Sequence, residues 1–162
     1  MKTIALVSKR DKAEAVEIAK ALKLRYPNLT FLAEPHLAER LGWPATDDAA
    51  MASRADLAVV LGGDGTIIHA ARLFKGRTVL LLGVNLGSLG FMAEVPQAEL
   101  GAVLEQVLEG KGRSDSRMKL ACRLYRKDAA IQGATGLVHA VAENEKEKIA
   151  ISVGPLSGRV TG

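Results

Sequence analysis

Two short runs restrict the fold of this chain more than anything else in it. Leu57–Leu61 (Leu-Ala-Val-Val-Leu) and Thr78–Val84 (Thr-Val-Leu-Leu-Leu-Gly-Val) are almost free of polar side chains, and each leads straight into a glycine-rich loop. A strand with one wet face alternates polar and apolar residues. A run without alternation is buried on both faces, which requires a parallel sheet covered by helices. The rest of residues 1–110 fits that reading. Thr3–Val7 and Leu29–Ala33 are further strand candidates, and Asp11–Leu24 carries Ala15, Ile18, Ala19 and Leu22 at helical spacing. Ala45–Arg54 is a helix that Thr46 can cap, with Asp47 and Asp48 near its start, and Ile67–Phe74 is a helix after the first glycine turn, with Thr66 as its cap. Pro96–Leu108 is a helix opened by proline and closed by Gly110.

The pattern changes after residue 112. Met118, Leu120, Cys122 and Leu124 alternate with Lys119, Ala121, Arg123 and Tyr125, as in a half-exposed antiparallel strand. Gly133–Ala142 and Ile149–Val153 read as two more. The expected organisation is an α/β domain over residues 1–112, followed over 113–162 by the start of an antiparallel all-β domain.

Composition excludes several function classes. The 162 residues are 48% apolar and 25% charged, the profile of a chain that buries a real core. The longest apolar run is far short of the ~20 residues needed to cross a bilayer, so no membrane partner is expected. The single cysteine, Cys122, excludes an internal disulfide and a cysteine-based metal cage, and a reducing cytoplasm is the simplest compartment. The net charge of +4 is uneven, because residues 111–128 hold seven Lys and Arg against two Asp. Nucleic-acid binders usually interleave aromatics in such a run, and here only Tyr125 is available, so no nucleic-acid partner is expected. A solvated strand face, or a face near an anionic small molecule, accounts for it.

Glycine marks the site. Seven of the 16 glycines fall between Gly62 and Gly90, directly after the two apolar strands. In open parallel sheets the ligand crevice lies at the carboxyl ends of strands. The first loop, Gly62-Gly63-Asp64-Gly65-Thr66, lets the backbone approach a ligand closely and offers N–H groups at a helix N-terminus. It is neither the Walker loop nor the G-x-G-x-x-G fingerprint. Its central carboxylate would repel a phosphate unless Asp64 takes a proton from an attacking hydroxyl or holds a metal ion, and either role fits phosphoryl transfer. A tight turn with Asp64 as a capping residue is the plainer alternative. In the second loop, Gly83 to Phe91, Asn85 can read a polar ligand edge and Ser88 can donate to one; equally, the loop can pack Leu86, Leu89 and Phe91 into the core.

At these two loops the sequence resembles a known family. Gly62–Thr66 is similar to the GGDGT signature of NAD kinases, of diacylglycerol- and sphingosine-type lipid kinases and, more distantly, of phosphofructokinases. Gly83-Val84-Asn85-Leu86-Gly87-Ser88-Leu89-Gly90-Phe91, followed by Ala93-Glu94, resembles the second signature of NAD kinases, which lipid kinases lack. The likeness extends over about residues 1–125. It implies a Rossmann-like N-terminal domain, an all-β second domain and an NAD site between them. It also implies transfer of the γ-phosphoryl of ATP, or of polyphosphate, to the 2′-hydroxyl of the adenosine ribose of NAD, giving NADP. NAD and ATP would be the partners, with a divalent ion such as Mg²⁺ and a homo-oligomeric assembly. Carried over position by position, Asp64 is the base, Gly65 adjoins it, and Gly62, Gly63 and Thr66 shape the phosphate loop. His69 faces the nucleotide, while Asn85, Gly87, Ser88 and Phe91 line the second loop. Asn144-Glu145 stands in for the family's ribose-holding pair, although Lys146-Glu147-Lys148 follows it where the family continues a strand. The family's Thr-Pro-Thr-Gly-Ser-Thr-Ala-Tyr-type segment has no counterpart here. A non-catalytic nucleotide-binding fragment and another GGDGT-type kinase, acting on a lipid or a sugar, stay open as alternatives.

Other residues invite plainer readings. His36 and His139 have no partner at metal-ligand spacing and read as structural or exposed. Cys122 shares its strand parity with Met118 and Leu120 and reads as an inert thiol. Trp43 anchors a loop, and Arg113 and Arg117 either approach phosphates or lie on a solvated face.

Overall fold

The structure is a computed structural model that describes residues 1–87, 90–118, 121–125, 139–143 and 148–153, with side chains to residue 117. Its centre is a parallel sheet of β1 (Thr3–Ser8), β2 (Thr30–Ala33), β3 (Leu57–Gly62) and β4 (Leu80–Asn85), in the order β2-β1-β3-β4. Helices α1 (Ala13–Arg25), α2 (Pro35–Leu41), α3 (Asp48–Arg54), α4 (Asp64–Leu73) and α5 (Leu100–Leu108) accompany it. The two-residue strand β5 (Val95–Pro96) pairs parallel with the end of β4. Further along, β6 (Arg113–Met118), β7 (Ala121–Tyr125), β8 (His139–Glu143) and β9 (Lys148–Val153) follow. β9 runs parallel to β4 over Leu80–Leu82, β6 pairs antiparallel with β9, and β7 and β8 form an antiparallel pair.

The apolar strands behave as their composition requires. Side chains of a strand alternate between faces, and each face here has its own core. Ile4, Leu6, Leu57, Val59, Leu61, Leu82 and Val84 join α1, α2 and α5 in one buried cluster. Ala5, Val7, Ala58, Val60 and Leu81 join α3 and α4 in the other. Leu57, Leu61, Leu81, Leu82 and Leu104 are fully buried, and each such side chain contributes about 1.5–3 kcal/mol of burial.

Several element boundaries differ from the sequence expectation. α4 begins at Asp64 with Gly63 as its cap, so Thr66 lies inside the first turn and does not cap it. α3 is capped by Asp47, whose Oδ1 accepts the Ala50 N–H at 2.7 Å. Thr46 instead gives its backbone N–H to the Ala33 carbonyl, beside a parallel bridge between Ala33 and Ala45. α2 has no counterpart in the sequence pattern: it buries only Leu37 and Ala38, too little to leave a periodic trace. Pro96 ends β5, a 3₁₀ turn covers Gln97–Glu99, and α5 starts at Leu100.

Candidate functional site

Strand order places the site. β2 lies on one side of β1 and β3 on the other, so the chain reverses its direction of travel across the sheet between them. That reversal opens a crevice at the carboxyl ends of β1 and β3. A cleft of about 660 Å³ occupies it, bordered by Ser8–Arg10 after β1, Glu34–His36 after β2, and Gly63, Gly65, Thr66 and His69 after β3. A smaller recess of about 140 Å³ adjoins it, between Lys9, Lys12, Gly62, Gly63, Asn85 and Gly87. Lys9, Arg10, Lys12 and the N-terminal pole of α4 give this end of the sheet the charge an anionic ligand needs.

The two glycine loops are fastened to each other, and Asp64 is the main fastening. Its Oδ2 accepts the N–H of Phe91 at 2.9 Å, and its Oδ1 accepts those of Met92 at 2.9 Å and Ala93 at 3.1 Å. The N–H groups of Met92, then Phe91 and Ala93, hold this carboxyl below the usual carboxylate range. A second link is backbone only, with Leu86 N–H donating to the Gly62 carbonyl at 3.2 Å. Lys12 reaches the same turn and donates from Nζ to the Leu86 carbonyl at 3.2 Å. Asn85 braces the second loop from within, its Oδ1 accepting the Gly87 N–H at 2.8 Å.

The glycines divide by what surrounds them. A side chain at Gly62 would run into Thr66, and one at Gly83 into Ile67. Gly63, Gly65 and Gly87 have nothing within 4 Å of where a Cβ would stand. The first two serve packing; the last three leave an open surface along the loops, where a ligand can meet bare backbone.

Of the residues expected at the site, the structure brings Gly62, Gly63, Asp64, Gly65, Thr66, His69, Asn85, Gly87 and Phe91 to this end of the sheet. Phe91 is 74% exposed, and the Arg117 guanidinium lies over its ring at 5.3 Å. Ser88, Asn144 and Glu145 lie outside the described residues, as do the side chains of Cys122 and His139.

A polar chain in the cleft escaped the sequence reading. Glu34 is 4% exposed; its Oε1 meets His69 Nε2 at 2.6 Å and its Oε2 accepts the Ser8 N–H at 3.0 Å. His36, expected to be merely structural or exposed, sets its Nε2 3.0 Å from Ser8 Oγ and 3.2 Å from the Ser8 carbonyl. The signal available was a polar residue closing an apolar strand, Ser8, and a glutamate before Pro35. Among the described residues no group of three or more His, Cys, Asp or Glu is placed to hold a metal ion, and no helix is long and apolar enough to cross a membrane.

The family model described as the ATP-NAD kinase N-terminal domain matches residues 43–112, the stretch that contains both loops and α4. Residues 43–112 are similar to an NAD kinase N-terminal domain. The chain is 44% identical over 138 residues to an NAD kinase of Geotalea daltonii, covering 82% of this chain and 48% of that one. It is 45% identical over 132 residues to an NAD kinase of Geobacter metallireducens, covering 79% and 46%. A bifunctional NADP phosphatase/NAD kinase of Methanocaldococcus jannaschii is 34% identical over 136 residues, 82% of this chain and 23% of the relative. The chain thus spans about half the length of the first two curated relatives. Among solved structures, yeast NADH kinase complexed with NADH superposes with a TM-score of 0.68 over 86% of this chain and 46% of that one, at 24% identity. That likeness shows the Rossmann-like fold of the parallel sheet and its helices.

Proposed function

We propose that this chain is the donor- and base-bearing portion of an NAD kinase, transferring the γ-phosphoryl of ATP, or of polyphosphate, to the 2′-hydroxyl of the adenosine ribose of NAD. The observation that carries the reading is Asp64: a carboxylate at the start of α4, beside open glycine backbone, in a domain matched by the NAD kinase family. In the reaction a bond forms between the ribose 2′-oxygen and the γ-phosphorus. The bond from that phosphorus to the bridging oxygen breaks, and ADP leaves. The hydroxyl proton passes to Asp64.

The geometry supports a particular version of that step. A carboxylate offers about four lone-pair positions. Backbone N–H groups take two on Oδ1 and one on Oδ2, which leaves one on Oδ2 for a hydroxyl. Held below the usual carboxylate range, Asp64 stays charged and orients the nucleophile, accepting the proton only as the bond to phosphorus develops. A loose phosphoryl-transfer transition state asks for little more. Amide donors of Gly63 and Gly65, the pole of α4 and the Lys9–Lys12 cluster then face the charge on the phosphates. The described residues supply no cage for a resident metal, so Mg²⁺ is read as arriving with the phosphates of the donor.

We also infer that residues 113–162 open a second, β-rich domain, that Asn144-Glu145 and Ser88 serve the dinucleotide, and that the assembled enzyme is a cytoplasmic homo-oligomer. Calorimetry with NAD and ATP, run beside a turnover assay for NADP, tests the main reading. Turnover supports phosphotransfer, binding without turnover favours a nucleotide-binding module, and the absence of both overturns the proposal.

A further inference from the structure

Glu34 occupies the cap position of α2, yet its side chain makes no capping bond there. Its backbone does that work: the Glu34 carbonyl accepts the N–H groups of Leu37 and Ala38 at 3.0 and 2.8 Å, and Pro35 follows as the first helical residue. Glutamate is not among the preferred capping residues, and a buried carboxylate is costly unless it is paired. The side chain is instead spent on a link between β1 and α4, with Ser8 N–H on one oxygen and His69 Nε2 on the other.

His69 needs such a link to have a direction. Half of its side chain is exposed. It lies four residues after Gly65 on α4, and helical side chains lean back toward the N-terminus, so no side chain at residue 65 limits the ring. A carboxylate can only accept, so the proton of the 2.6 Å bond sits on Nε2. Nδ1 then remains as the polar atom of a ring that borders the cleft. Ser8, only 5% exposed, keeps Glu34 in place through its N–H, while His36 holds Ser8.

We propose that Glu34 is a positioning residue: it keeps a proton on His69 Nε2 and fixes the direction of the ring, so that Nδ1 is presented in the cleft and, in the doubly protonated ring, donates to an anionic phosphoryl donor. The proposal rests on the phosphotransferase reading for the identity of the donor, and on the Ser8–Glu34–His69 geometry for everything else.

The test uses the 162-residue chain with ¹⁵N-labelled histidine, and inorganic tripolyphosphate and ATP as probes. In the wild type the ring nitrogens of His69 should report a proton on Nε2, and tripolyphosphate should bring a proton to Nδ1 as well. Glu34→Gln should abolish the tautomer preference and weaken tripolyphosphate binding about tenfold, the size expected for one hydrogen bond to a charged group. In a His69→Ala background, Glu34→Gln should change tripolyphosphate binding no further. An unchanged tautomer in Glu34→Gln, or additive effects of the two substitutions, overturns the positioning role. Thermal denaturation of each variant separates loss of fold from loss of position. Failure of NAD phosphorylation with these results intact would remove the kinase reading and leave the positioning role standing; the reverse pattern would do the opposite.

Discussion

Gly90 lies where any side chain would strike the carboxylate of Asp64. The same carboxylate collects the N–H groups of the three residues that follow Gly90. The second loop therefore closes over the first because residue 90 has no Cβ, and Asp64 serves as anchor and as chemical group at once.

Asp64→Asn is therefore not a silent isostere. The amide keeps one accepting oxygen and turns an NH₂ donor toward backbone N–H groups that also donate. Turnover should fall by about 10²–10⁴-fold, the usual worth of a general base. Hydrogen exchange at Phe91, Met92 and Ala93 should accelerate while Leu57–Leu61 stays protected. Unchanged exchange at residues 91–93 would mean that the anchor is not Asp64.

The glycines should separate into two classes under substitution. Gly90→Ala overpacks Asp64 and should cost about 1–3 kcal/mol in chemical denaturation. Gly63→Val meets open space, and its backbone is extended at φ −121°, so stability should change by no more than about 0.5 kcal/mol. Its branched side chain should nevertheless weaken ATP binding in calorimetry, as should Gly87→Val, because both occupy the surface a ligand approaches.

Acid should release the second loop before it unfolds the domain. Asp64 is held below its ordinary value of 3.8 by the three amides, so its contribution is complete above that value. It is lost as pH falls through the lower folded-state value. Amide exchange and chemical shifts at residues 91–93, followed on acidification below 3.8, should report the loosening, and Asp64→Asn should show no such transition.

A smaller test concerns the helix ahead of β3. Asp47→Ala removes the side-chain bond to the Ala50 N–H and should destabilise the chain by about 1 kcal/mol in thermal denaturation. Thr46→Ala should cost less, since the bond from residue 46 to Ala33 is made by the backbone.

Sequence alone made the sheet legible because its evidence is local. Leu57–Leu61 needs no partner to declare itself a buried strand, and a glycine run after such a strand declares a ligand loop. What escaped was non-local or lacked periodicity. Glu34 and His69 are 35 residues apart, and nothing in either neighbourhood shows that they meet. α2 hides because two buried residues make no pattern, and the start of α4 hides because Gly63 and Gly65 look like loop although one caps the helix and the other lies within it. The anchoring bonds of Asp64 run to backbone N–H groups, which every residue but proline has, so no choice of side chain announces them.

The two faces of the sheet are built from different sizes of side chain. The face toward α1 and α5 takes Ile4, Leu6, Leu57, Val59, Leu61, Leu82 and Val84; the face toward α4 takes Ala5, Val7, Ala58, Val60, Leu81 and Gly83, with Ile67 pressed onto the glycine. The floor under α4 is thus the lower of the two, bare backbone where Ile67 rests on Gly83, and the height of the helix above it sets where Asp64 meets the second loop. Tolerance to change should be lopsided as a result. Exchanges among large residues on the α1 side disturb packing that can readjust around long side chains, whereas one added methylene at Ala58 or Gly83 lifts the helix that carries the carboxylate. The precision of the site is stored in the smallest residues of the core, well away from any ligand.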